Sequence, residues 1–166
     1  MQAQGTKISF DPNVRMEHLT NPKKSSESFA IINEMLSITN IFEPGIDELK
    51  LVTGVDDVEA AVNKCFENPN LEILLLKMGS EGSRVYTKDG QRVEQGLYKV
   101  KSVDATGAGD TSNGAFLCGL LEGKSIEDCA KMAAAAGALN VAAFGPMEGK
   151  ISSENVQSMI DGTYFS

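Results

Sequence analysis

The chain has 166 residues, 42% hydrophobic and 23% charged, which suits one soluble globular domain with a respectable core. Its net charge of -8 argues against nucleic acid or an anionic membrane as partner, since both demand a positive patch. No apolar run approaches bilayer-spanning length and no signal-peptide pattern opens the sequence, so the expectation is a cytoplasmic protein. Cys65, Cys118 and Cys129 are odd in number and lack CxxC spacing. Cys118 and Cys129 fall on apolar faces of predicted helices and read as buried free thiols, as a reducing compartment permits.

The predicted elements alternate. Ile8–Phe10 reads as a short strand ended by the turn cluster Asp11-Pro12-Asn13. After the polar break 21–26 a helix runs from Glu27 to Ser37, capped by Ser25 or Ser26, with Phe29, Ile32 and Leu36 on one stripe. His18 lies in the preceding polar loop and reads as solvent-exposed. Thr39–Phe42 is a brief buried strand, and a helix over 47–52 stops at Gly54. Another helix starts at Asp56-Asp57 and reaches Phe66. Glu72–Lys77 carries four successive apolar residues, as expected of a strand covered on both faces. Ser83–Thr87 and Gln91–Val100 suggest a hairpin around Asp89-Gly90. Helices then run over 109–121, 126–144 and 153–160, the second Ala-rich for close packing. Strands alternating with helices indicate an α/β protein with a mostly parallel sheet, helices on both faces, and a single domain over 1–166.

The most informative stretch is 103–117. A strand-like lead-in, Leu97–Lys101, gives way to small residues at 105–109 that run into an apolar helical pattern. Small side chains leave backbone N–H groups uncovered at a helix start, where unpaired amides and the macrodipole attract anions. Asp110 follows inside the first turn, where a carboxylate would compete with a bound anion unless it had its own task. Donors beside a carboxylate are the minimum set for phosphoryl transfer to a hydroxyl. The alternative is that Gly107 and Gly109 only permit tight packing, with Asp110 as a capping charge. Capping needs one polar residue, not a triplet of small ones, so the site reading is preferred.

Asp104-Ala105-Thr106-Gly107-Ala108-Gly109-Asp110 resembles the D-T-x-G-A-G-D signature of ribokinase-like (PfkB) carbohydrate kinases, with Ala105 where Thr is usual. The resemblance implies the ribokinase-like three-layer α/β/α fold, with a mostly parallel sheet and a small antiparallel hairpin. It covers only the C-terminal half of such enzymes, so the N-terminal half and lid that carry most sugar contacts are absent. The polypeptide is accordingly expected to be either a fragment or the product of a shortened gene. The resemblance further implies ATP-dependent phosphorylation of a sugar or sugar-acid hydroxyl. Gly107, Ala108 and Gly109 would form the anion hole and Asp110 would be the catalytic base.

Further positions carry over in the same way. Pro44-Gly45-Ile46-Asp47-Glu48 occupies the place of the family's Asn-x-x-Glu motif, with Gly45 where asparagine is usual. Glu48 would act on Mg2+ through water; the bland alternative is a solvated helix charge. Gly79-Ser80-Glu81-Gly82 looks like the G-x-x-G turn beneath the nucleotide, with Lys77 where Thr is common; equally, it is a strand-exit loop. Phe144 and Gly145 match the turn lining the adenine pocket, and Thr106 joins the nucleotide set. Asp11-Pro12-Asn13-Val14-Arg15 resembles a run in ketodeoxygluconate-kinase-like and fructokinase-like members. There Asn13 and Arg15 would contact substrate, Arg15 gripping a carboxylate bidentately, unless it is a surface residue after a turn. Asp104 is a candidate for holding a monovalent cation such as K+. The implied partners are a small sugar or sugar acid and ATP, with neither nucleic acid nor membrane. A homodimer is a further candidate, because a missing half leaves an edge strand exposed. The competing readings are a nucleotide-binding fragment and an interaction subunit, neither with catalytic activity of its own.

Overall fold

Two short strands and the aromatic side chains on them start the sheet. The computed structural model describes residues 5–14 and 22–164. Strand β1 (Ser9–Phe10) pairs in parallel with β2 (Ile41–Phe42), and β2 with β3 (Ile73–Lys77). Phe10 and Phe42 are register partners, and their rings stack with centroids 6.1 Å apart. With β4 (Ser83–Thr87) and β5 (Arg92–Gln95) the hydrogen-bonded order is β1-β2-β3-β4-β5. Lys88 N–H donates to Glu72 O at 2.8 Å and Thr87 N–H to Gln91 O at 3.0 Å, as antiparallel neighbours require. The sheet is therefore mixed.

The described chain forms two compact units. The first comprises 5–14, 22–78 and 85–92, with helices α1 (Pro22–Ile38), α2 (Ile46–Thr53) and α3 (Val58–Cys65). Phe42, Leu49, Ala61, Val62, Leu74 and Leu76 form its buried core. Leu74, Leu75 and Leu76 are at most 1% exposed, so β3 is covered on both faces as its unbroken apolar run predicts. Gly54 ends α2 in the left-handed conformation at φ 67°, and Asp57 caps α3 by accepting the Ala60 N–H.

The second unit comprises 79–84 and 93–164 and carries α4 (Ala108–Leu121), α5 (Ile126–Val141) and α6 (Ser153–Ile160). Small residues let α4 and α5 approach closely: a Cβ on Gly119 would lie 2.8 Å from Cys129 Sγ and 3.3 Å from Cys129 Cα. Ala135, Ala136, Leu139, Val156 and Met159 form the core, so the Ala-rich stretch is packing material as expected.

Several expectations need correction. The Leu97–Lys101 lead-in is not a strand, and β5 stops at Gln95. Tyr98 and Val100 do pack on the second core while 97, 99 and 101 are exposed. The alternation is real, but side-chain alternation does not create a hydrogen-bonded partner. Helix α1 begins at Pro22, not Glu27, and proline suits a first helical turn. The second strand is only Ile41–Phe42, because the Thr39 hydroxyl bonds back to Met35 O at the end of α1. Helix α5 ends at Val141, not Phe144, where the Val141 carbonyl accepts the N–H groups of Val103 and Asp104. Cys129 is buried, but Cys118 is exposed. Apolar and small residues lie all round α4, so periodicity does not identify its inner face.

Candidate active site

The second unit holds the signature. Asp104 organises it: Thr106 donates to Oδ1 through its N–H (2.9 Å) and its hydroxyl (2.7 Å), and Gly145 N–H donates to Oδ2 at 3.1 Å. These donors, Thr106 first, hold the Asp104 carboxyl below the usual carboxylate range. Gly107 is the N-cap of α4 at φ 77°, a conformation that favours glycine. A Cβ there would also sit 2.4 Å from Pro146 O, so the signature turn and the 145–149 loop are in close backbone contact. Thr111 N–H makes the first helical bond, to Gly107 O at 2.9 Å.

The amides divide unequally. Ala108 N–H turns back onto Ala105 O at 3.2 Å. Those of Gly107, Gly109 and Asp110 have no protein acceptor among the described residues. Asp110 itself is exposed, with no side-chain bond to protein among the described residues. A helix start with open donors and a free carboxylate can bind an anion and accept a proton beside it.

Other candidates in this unit are dispersed by role. Gly79 and Ser80 are exposed in a 3-10 turn. Gly82 is buried at φ 91°, where a Cβ would lie 2.1 Å from Gln95 O, so this glycine serves a close chain approach. Phe144 is 80% exposed, an unusual setting for a large aromatic that nothing in the unit covers. Gly145 continues the chain at φ 110°.

The first unit collects charged side chains at the carboxyl ends of its parallel strands. Lys77 Nζ donates to Asp11 Oδ2 at 2.5 Å, and Asp11 Oδ1 accepts the Asn13 N–H at 3.1 Å. Lys77 is therefore spoken for by Asp11, and Asn13, at φ 40°, follows from that turn. Arg15, like His18, lies outside the described residues. Glu48 is half-buried and not idle: Oε1 accepts Val14 N–H and Oε2 accepts Gly45 N–H, each at 2.7 Å. It thereby supplies the Glu half of a capping box on α2, the N-cap glycine having no side chain to return the bond, and ties the 11–14 loop to that helix. Its remaining lone pairs suit a water-mediated contact to Mg2+, which takes most of its ligands from water and phosphate. Among the described residues no group of three or more His, Cys, Asp or Glu could hold a metal ion. The three donors on Asp104 make it a loop staple.

Two residues escaped the sequence reading. Glu43, 2% exposed at the end of β2, accepts the Ser9 hydroxyl on Oε2 and leaves Oε1 without a partner. Burial is the main cause that pushes its carboxyl up. Asn140, fully buried, donates from Nδ2 to Thr106 O at 2.8 Å. A lone amide inside an Ala-rich helix was the available signal for it.

A helix start with open amides beside an exposed carboxylate, in an α/β chain, has the groups that phosphoryl transfer requires. The pfkB family carbohydrate kinase model matches residues 1–153, and the chain belongs to that family. It is 31% identical over 160 residues to a 2-dehydro-3-deoxygluconokinase of Bacillus subtilis, covering 96% of this chain and 48% of that protein. It also superposes on an Escherichia coli structure provisionally assigned as ribokinase II, in complex with ATP and Mg2+. There the TM-score is 0.86 at 30% identity, covering 97% of this chain and 50% of that one. A fructokinase double mutant from Vibrio cholerae, with fructose, ADP and potassium ion, gives a TM-score of 0.83 at 25% identity, covering 96% and 52%. The ribokinase-like fold expected from the signature is thus present. The chain spans about half the length of the relatives it matches.

Proposed function

We propose that the chain supplies the nucleotide-binding and catalytic portion of an ATP-dependent kinase for a sugar or sugar-acid hydroxyl. One observation carries the reading: open amides at 107, 109 and 110 stand at a helix start beside an exposed Asp110. Asp110 accepts the proton of the attacking hydroxyl as that oxygen bonds to the γ-phosphorus and the bond to the leaving ADP oxygen breaks. The signature amides and the α4 dipole meet the charge that develops on the transferring group. ATP lies against Gly79, Ser80 and Gly82, with Thr106, Phe144 and Gly145 along its length. Glu48 would hold Mg2+ through water, and the ion would supply charge neutralisation at the phosphates. Asn13 and Arg15 face the acceptor, and the related deoxygluconokinase favours a sugar acid, whose carboxylate an arginine fork fits. The two remaining assignments of the reading are Lys77, on the nucleotide side, and a cytoplasmic setting.

The shared length favours a second reading, in which the chain binds nucleotide without turnover. Calorimetry with ATP and Mg2+, run beside a coupled assay with 2-keto-3-deoxygluconate, ribose and fructose, separates the two. Binding with turnover supports the kinase; binding alone supports the second reading. No binding of either nucleotide or sugar rejects both.

A further inference from the structure

We infer that Asn140 is a positioning residue whose side-chain amide aims the Gly107 N–H of the phosphate site. The inference rests on the phosphate-site reading above and adds to it a residue from the far end of α5.

The argument is stereochemical. Thr106 C=O and Gly107 N–H belong to one peptide group, and the described chain has no cis peptide bond. In a trans peptide the carbonyl and the N–H point in opposite directions across a rigid plane. Asn140 Nδ2 grips Thr106 O at 2.8 Å, so it holds that plane and turns the Gly107 N–H away from α5. That N–H has no protein acceptor among the described residues. The flanking contacts fix position without fixing this plane. Val141 O accepts the Val103 and Asp104 amides at 2.7 and 3.2 Å, which anchors the segment before the signature. Asp104 holds the Thr106 N–H and hydroxyl, which fixes the preceding peptide. Gly107, at φ 77° and without a Cβ, has the widest torsional freedom in the turn, so its N–H most needs a fixed peptide plane.

The environment of Asn140 agrees. It is fully buried in the Ala-rich helix, yet its Oδ1 has no partner among the described residues. An unmatched buried acceptor is a cost that leucine of similar size would avoid. Packing alone does not explain an amide there; the single bond from Nδ2 does.

The test uses the 15N-labelled chain with Asn140→Ala and Asn140→Asp. The Gly107 N–H residual dipolar coupling is measured without ligand, and Mg-ATP and Mg-ADP affinities are measured by titration. In Asn140→Ala the Gly107 coupling changes while couplings along α4 and α5 stay put. ATP affinity falls about tenfold or more, as for one lost bond to a charged group, while ADP affinity changes little. A residue that only packs would shift both nucleotides alike. Asn140→Asp keeps the shape but donates only when protonated, so its Gly107 coupling returns toward wild type as pH falls. A folded variant with an unchanged Gly107 coupling overturns the inference, as does an unchanged ATP-to-ADP preference in a chain that binds both. Failure of both variants to fold makes Asn140 a packing residue and overturns it equally. Should the wild-type chain bind neither nucleotide, the phosphate reading fails, yet the ligand-free coupling still decides whether Asn140 aims the amide.

Discussion

The two units carry their polar groups in opposite ways. At the strand ends of the first, carboxylates are occupied: Asp11 by Lys77 and Asn13, Glu48 by two backbone amides, Glu43 by Ser9. At the α4 start of the second, backbone donors and one carboxylate have no protein partner among the described residues. Satisfied groups hold a shape, whereas open donors kept rigid by their neighbours are ready for a ligand. The difference locates where each kind of mutation should act.

The largest expected effect breaks the open side. Where sugar phosphorylation is measured, Asp110→Asn lowers kcat by about 10²- to 10⁴-fold, the usual worth of a general base. Thermal unfolding changes little, about 1 kcal/mol or less for a charge in the first helical turn, because the side chain is exposed and unbonded among the described residues. Next is Gly107→Ala, which meets both a positive φ and the Pro146 carbonyl. It should cost about 2–4 kcal/mol in denaturant unfolding and weaken ATP binding in calorimetry.

The satisfied side should answer in stability first. Glu48→Ala leaves the Val14 and Gly45 amides without their acceptor and should cost about 1–3 kcal/mol in urea melts. If stability held and only Mg-ATP binding fell, the contrast between the units would need redrawing. The smallest effect concerns pH. Burial raises the Glu43 carboxyl in the folded state, above its unfolded value of about 4.3. Its contribution is therefore fully present below that unfolded value and is lost as pH rises through the folded one. Glu43→Gln should flatten the fall in stability expected of wild type as pH rises above that unfolded value, as urea midpoints across a pH series would record.

Much of this was legible without coordinates. The four-residue apolar run of β3 announced a strand buried on both faces, and the small residues before Asp110 announced a helix start with bare amides. Local chemistry writes such features directly into residue order. The failures share a cause. Leu97–Lys101 alternates as a strand would, yet no neighbouring chain completes a ladder. Cys118 sits on a helix apolar all round, so nothing local told its inner face from its outer one. The ion pair of Lys77 with Asp11, 66 positions away, has no local signature in either segment.

Residue order alone determined the α/β class, the family signature and the open amides of the α4 start, because each depends on neighbours within a few positions. Only the tertiary structure decided that Lys77 pairs with Asp11, that Glu48 reaches the Val14 amide, and that Asn140 reaches Thr106. Those outcomes depend on contacts between distant residues, and a hydrogen bond over 34 positions leaves no pattern in either segment that makes it.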